Sequence, residues 1–143
     1  MEIVIRSIVE QDAERVNELS MQLGYKMSIG QTLANIQAVL VAKRHTVFVA
    51  LHEHKIIGWV GVAEALQIEA APFCEIRGLI VDEEYRAQGI GKLLIEKVKQ
   101  WSKETGNKTL RLRCNMIRKE AHLFYRHLGF KEIKEQKVFE MNI

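Results

Sequence analysis

One segment constrains the fold of this chain more than any other. The apolar run Leu79-Ile80-Val81 leads through Asp82-Glu83-Glu84-Tyr85-Arg86-Ala87-Gln88-Gly89-Ile90-Gly91 into Lys92-Leu93-Leu94. The run reads as the end of a buried central strand, Phe73 to Val81, because it is nearly continuous rather than alternating. From about Gly89 to Glu104 the pattern becomes helical, with Ile90, Leu93, Leu94, Val98 and Trp101 on one face. Between the two, glycines let the backbone approach a ligand, and the N–H groups of the first helical turn point outward. Added to the helix dipole, those groups suit phosphate, and Arg86 and Lys92 bring charge for a diphosphate. The same residues also satisfy the bland requirement for a glycine turn between any strand and helix, so both readings stand on these residues alone. Two other phosphate motifs are excluded. Leu93 stands where a Walker loop needs Ser or Thr after Gly91-Lys92, and a dinucleotide fingerprint needs three glycines after the first strand of a βαβ unit.

Around this segment the chain alternates strand and helix signals. Glu2 to Val9 reads as a strand, followed by a helix that Asp12 can cap and that buries Val16, Leu19 and Leu23. Gly24 stops it. Ser28 opens a second helix, with Gln31 at capping-box spacing and Leu33, Ile36 and Leu40 as its apolar stripe. Thr46 to Leu51 and Ile56 to Val62 are strands joined by the hairpin His52-Glu53-His54-Lys55. Thr109 to Cys114 is another strand, and Arg118 to Leu128 a last helix ended by Gly129. Phe130 to Ile143 is expected to close the chain as a bent strand or a hairpin near Glu135-Gln136. The order β-α-α-β-β-β-α-β-α-β(-β) implies an α+β fold with a mixed sheet flanked by about four helices. At 143 residues this is one domain, 1–143.

Composition removes several function classes. A hydrophobic fraction of 48% is that of a globular chain. The net charge of +3 is too mild, and its basic residues too dispersed, to argue for nucleic acid. No apolar run nears the roughly 18 residues of a membrane span, and Met1-Glu2-Ile3-Val4-Ile5-Arg6 does not resemble a signal peptide. A cytoplasmic protein with no membrane partner is expected. Cys74 and Cys114 read as buried thiols, and His52-x-His54 lacks a third ligand, so no metal is expected.

Arg86-x-x-Gly89-x-Gly91 after Leu79-Ile80-Val81 resembles the coenzyme A-binding signature of the GNAT N-acetyltransferases. A second signature of that family is matched by Asn115, Ala121, Phe124-Tyr125 and Leu128-Gly129-Phe130. With the element order, the resemblance covers essentially the whole chain. It implies acetyl-coenzyme A as cosubstrate, with backbone amides of Arg86, Ala87, Gln88, Gly89, Ile90, Gly91 and Lys92 on the pyrophosphate. Leu79, Ile80 and Val81 would pair with the pantetheine arm, in a cleft where the Phe73–Val81 and Thr109–Cys114 strands splay apart. Asn115 would contact the coenzyme near that cleft, and Tyr125 would stand beside the thioester sulfur.

Acetyl transfer to an amine needs a base, a positioned nitrogen, donors for the oxyanion and a proton for the departing thiolate. Tyr125 is the candidate acid, since a phenol's pKa of about 10 lies near a thiol's 8.5; it also reads as helix packing. Glu75, inside an apolar strand, is the candidate base, directly or through water. A salt bridge with Arg77 or Arg113 is its competing role. For the acceptor, the resemblance points to Tyr25, Lys26 and Trp59, and to a small primary amine, because Arg113 to Val138 is similar to aminoalkylphosphonate acetyltransferases. Alternatives are a protein N-terminal or lysine acetyltransferase and a non-catalytic acyl-coenzyme A sensor or scaffold. A homodimer paired through the last strand is a further expectation by family analogy.

Overall fold

Runs of alternating apolar residues lay down the sheet. The computed structural model describes residues 1–143, which form two compact units, Met1–Arg113 and Cys114–Ile143.

The first unit holds a five-stranded sheet in the order β1-β2-β3-β4-β5. Its strands are β1 (Val4–Ser7), β2 (His45–His52), β3 (Lys55–Ala65), β4 (Phe73–Val81) and β5 (Leu110–Leu112). β1 to β4 pair antiparallel, and β5 joins β4 in parallel, as the absence of helices between the middle strands implies. The β2–β3 connection is a two-residue turn, with Glu53 and His54 both in the left-handed region at φ 49° and 66°. That is the turn whose twist matches a hairpin.

Period two sends neighbours to opposite faces. Val49 is buried with Ile8, Ala13, Val16, Leu19, Ile36, Ile56 and Ile80, beneath α1 (Ala13–Met21) and α2 (Ile29–Val41). Phe48, one residue earlier, faces the other way, under Lys97 of α3 (Ile90–Glu104). α3 buries Ile90, Leu94, Ile95 and Val98. Leu93, expected in that stripe, is 43% exposed. With the helix starting at Ile90, steps of 100° put residues 90, 94, 95 and 98 toward the sheet and 93 on the flank. On α2 the buried positions are Thr32 and Ile36, and Leu40 is exposed. Ser28 caps that helix through the Gln31 amide, but the Gln31 side chain turns to Asn35, so the reciprocal half of the capping box is not made.

The second unit contains α4 (Lys119–His127). The strand expected over 130–143 is not formed. A strand exists through the ladder bonds it makes, and this unit holds no other strand for it to pair with.

Candidate active site

The site-bearing geometry begins where two strands part. β5 pairs with β4 only at Cys74↔Leu110, Glu75↔Arg111 and Ile76↔Leu112. Beyond Ile76, β4 continues to Val81 and bonds only to β3, through Gly58↔Val81, Trp59↔Ile80, Val60↔Leu79 and Gly61↔Gly78. One edge of residues 77–81 therefore offers unpaired main-chain donors and acceptors, which an extended amide-bearing ligand can complete. Leu79, Ile80 and Val81, the sequence's candidates for that role, lie on it. The register jumps from Gly61↔Gly78 to Val62↔Ile76, leaving Arg77 bulged at the fork. Bulges of this kind bend a strand and end its pairing.

β4 then turns into the glycine loop. Asp82 caps a single 3-10 turn, Glu83–Tyr85, by accepting the Glu84 N–H at 3.1 Å. Ala87 lies at φ 60° and Gly89 at φ 84°, both left-handed. Gly89 is the N-cap of α3 and supplies no side-chain cap, so the first-turn amides are left for a ligand. A concave run of left-handed residues followed by a free helix N-terminus is an anion cradle. Arg86 is exposed, with its Nε 3.4 Å from the Val81 carbonyl, and Lys92 is exposed beside it. Gln88 turns its amide to the Glu84 carbonyl. Cradle and open edge together fit a diphosphate followed by an amide-rich arm, the chemistry of coenzyme A.

The loop is braced by residues that the motif does not contain. Arg15 of α1 donates to the Asp82 carboxylate at 2.6 Å and to the Ile56 carbonyl at 2.9 Å. Gln22 donates to Asp82 at 3.4 Å and accepts the Glu83 N–H at 3.0 Å. Burial alone would push the Asp82 carboxyl up. The Glu84 amide, the Arg15 guanidinium and the Gln22 amide outweigh burial and hold it below the usual carboxylate range. From the hairpin, His52 Nδ1 lies 3.2 Å from the Tyr85 hydroxyl. Asp82 was legible as an N-cap, but its partners lie 67 and 60 residues away in sequence, and no local pattern announces them.

Glu75 is buried at the fork, 3.0 Å from Arg77 and 3.5 Å from Arg113. Its cross-strand neighbour Arg111 lies flat over the Phe73 ring at 4.1 Å. Both candidate salt-bridge partners are thus engaged at once. Trp59 packs against the core beneath α1 and α2. A Cβ at Gly78 would come within 2.8 Å of its ring, so only glycine leaves room for this indole. The indole N–H is buried without a partner. Tyr25 and Lys26 are exposed on the α1–α2 loop, which Asn17 anchors through the Met27 carbonyl at 2.7 Å.

In the second unit, Tyr125 sits edge-on between Phe124 and Phe130, at centroid distances of 5.2 and 5.9 Å. Burial pushes its phenol above the ordinary value, Cys114 adds to the rise, and Arg118 opposes it. Asn115 accepts the Ile117 N–H on its side chain, and its carbonyl meets His122 Nε2 at 2.8 Å.

Comparison with known proteins adds three kinds of likeness. The sequence model of the Acetyltransferase (GNAT) family matches residues 11–130. Human N-acetyltransferase 8 is 32% identical over 111 residues, covering 74% of this chain and 48% of that protein. The N-acetylaspartate synthetase of Xenopus tropicalis is 33% identical over 86 residues, covering 60% of this chain and 31% of that protein. The chain thus spans about half the length, or less, of these relatives. Among solved structures, the aminoglycoside N-acetyltransferase AAC(6')-Iy in complex with CoA superposes with a TM-score of 0.89 at 20% identity. That likeness covers 99% of this chain and 96% of the other, and it establishes the mixed α+β fold.

Proposed function

The chain belongs to the Acetyltransferase (GNAT) family, and on that premise we propose that it moves an acetyl group from acetyl-coenzyme A to the primary amine of a small molecule. Transfer is direct, within a ternary complex. One observation carries the reading: the unpaired edge of β4 runs into a left-handed glycine loop that opens α3. The family match spans the boundary between the two units, which supports treating 1–143 as one catalytic domain.

In the proposed reaction the substrate ammonium gives a proton to a base, and its nitrogen bonds to the acetyl carbon. The carbon–sulfur bond breaks, and the thiolate takes a proton. The products are the acetamide, coenzyme A thiol and one proton. Glu75, directly or through water, accepts the first proton, and Tyr125 donates to the thiolate. A phenol raised by burial keeps its hydrogen at neutral pH, which suits a donor. The double contact with Arg77 and Arg113 favours a second reading for Glu75, a clamp that holds the fork.

The acceptor is a small amine that also carries an anionic group. Arg77, Arg111 and Arg113 gather around the single carboxylate of Glu75, an excess of positive charge that attracts an anion and repels a polycation. A relative named for making N-acetylaspartate accords with this.

The test is a titration with acetyl-coenzyme A followed by calorimetry and melting. At 100 times the dissociation constant, binding adds about 2.7 kcal/mol and raises Tm by several degrees. Thiol release is then compared for β-alanine, 2-aminoethylphosphonate, propylamine and spermidine. The anionic amines should show a KM lower by about tenfold than propylamine, and spermidine should be the poorest acceptor. No binding at millimolar coenzyme overturns the transferase reading. Binding with a preference for spermidine overturns only the acceptor class.

A further inference from the structure

We infer that Gln22, Arg15 and Asp82 form a positioning device that couples the acceptor loop to the coenzyme loop. The inference rests on the coenzyme reading above and adds to it a route by which one substrate prepares the site for the other. Arg15 and Gln22 are seven residues apart on and at the end of α1, two helical turns, so they project from the same side. Both reach Asp82, and Gln22 alone reaches past it to the Glu83 amide. Asp82 is the hinge point of the coenzyme loop. It follows the last paired residue of β4, its N–H is held by the Ile57 carbonyl at 2.8 Å, and its carboxylate and carbonyl organise the turn through Glu84 and Tyr85.

Gln22 occupies a second strategic place. It is the C-cap of α1 and the first residue of the loop that carries Tyr25 and Lys26 to the Ser28 cap of α2. The turn that follows it is held only by short-range bonds, Leu23 and Tyr25 to the Ser20 carbonyl and Gly24 to Met21. One side chain thus joins the start of the acceptor loop to the start of the coenzyme loop. Any ligand that immobilises residues 86–92 restrains Glu83, and through Glu83 and Asp82 it restrains Gln22. Restraint at one end lowers the entropy that the acceptor must still remove at the other, which is positive coupling without a large movement. Arg15 sets the position of Asp82 by an ion pair buried on the acid's side.

Hydrogen exchange of the full chain, with and without coenzyme A, tests the device without any acceptor. In the wild type, saturating coenzyme A should slow exchange at 86–92 and also, by about tenfold, at the amides of Leu23, Gly24 and Tyr25. In Gln22→Ala, protection at 86–92 should persist and protection at 23–25 should be lost. Arg15→Gln should reduce both, with the effect at 23–25 the larger. A merely structural role would speed exchange in the free protein and leave the coenzyme-induced slowing intact. The inference is overturned if the wild type shows slowing at 86–92 but none at 23–25, or if Gln22→Ala retains it. Absence of slowing at 86–92 and of binding heat in the wild type would overturn the coenzyme reading itself, and this inference with it.

Discussion

At Tyr125 the chemistry depends on one hydroxyl among three rings. Burial and the nearby Cys114 keep the phenol protonated, so its contribution to turnover is a proton held ready for the sulfur. Tyr125→Phe preserves the ring contacts with Phe124 and Phe130 and should lower kcat by on the order of 10²-fold while the coenzyme Kd changes little. Steady-state kinetics with calorimetry checks both, and an unaltered kcat would retire the acid role. Glu75 invites a different measurement, because two arginines compete with a substrate for its carboxylate. As the base, it sets the acidic limb of the pH–rate profile, and Glu75→Gln should flatten that limb. As a clamp, it leaves the profile's shape intact while the variant melts lower, since two guanidinium groups lose their partner.

Elements decide where the backbone is free to bind. α3 begins at a glycine with φ 84° and no side-chain cap, a conformation that costs other residues about 1–2 kcal/mol. A Cβ at Gly89 would meet nothing within 4 Å, so the residue is needed for its backbone and for open access, not for packing. Gly89→Asp would place a carboxylate over the free amides and cap them internally. It should abolish coenzyme binding in a titration that detects the wild-type complex, with the melting temperature of the free protein within a few degrees of wild type. Retained affinity would remove the phosphate role from this loop. β4 poses the complementary case. Its pairing partner stops at Leu112, and the bulged Arg77 marks the point where a ladder gives way to an edge. None of the helices is long and apolar enough to cross a membrane.

Across the molecule, two buried aspartates make stability depend on pH. Burial would raise the Asp12 carboxyl, but hydrogen bonds from Arg6 and the Val9 amide, with the Arg6 charge, bring it below its ordinary value. Asp82 is lowered in the same way by Glu84, Arg15 and Gln22. A depressed folded pKa contributes stability that is present above the unfolded value, about 3.9, and lost as pH falls through the folded one. Thermal melts should therefore be insensitive to these groups above about pH 5 and fall steeply below about pH 4. Asp82→Asn should lower stability at pH 7 by about 3 kcal/mol and make the acid slope shallower. An unchanged slope would mean that the Arg15 pair does not form in solution.

Local chemistry was enough to place most elements of this fold. Ser28, Gly89 and the alternation in β2 to β4 act over a few residues, so cap, loop and strand follow from neighbours along the chain, and the mixed α+β order with them. Asp12 shows the limit of such reasoning. Its position fits a helix cap, yet its carboxylate turns back to Arg6 and the Val9 amide. Leu93 and the segment 130–143 show it again, because helix phase and strand pairing depend on which surface is opposite. The loop brace from Arg15 and Gln22, the twofold clamp on Glu75 and the glycine seat for Trp59 join residues distant in sequence. Only the tertiary structure decides such contacts, since they form when packing brings together groups that carry no local signal of each other. What the residues alone determined is the phosphate-binding loop, whose function resides in its own backbone angles and unpaired amides. Its anchorage belongs to the fold.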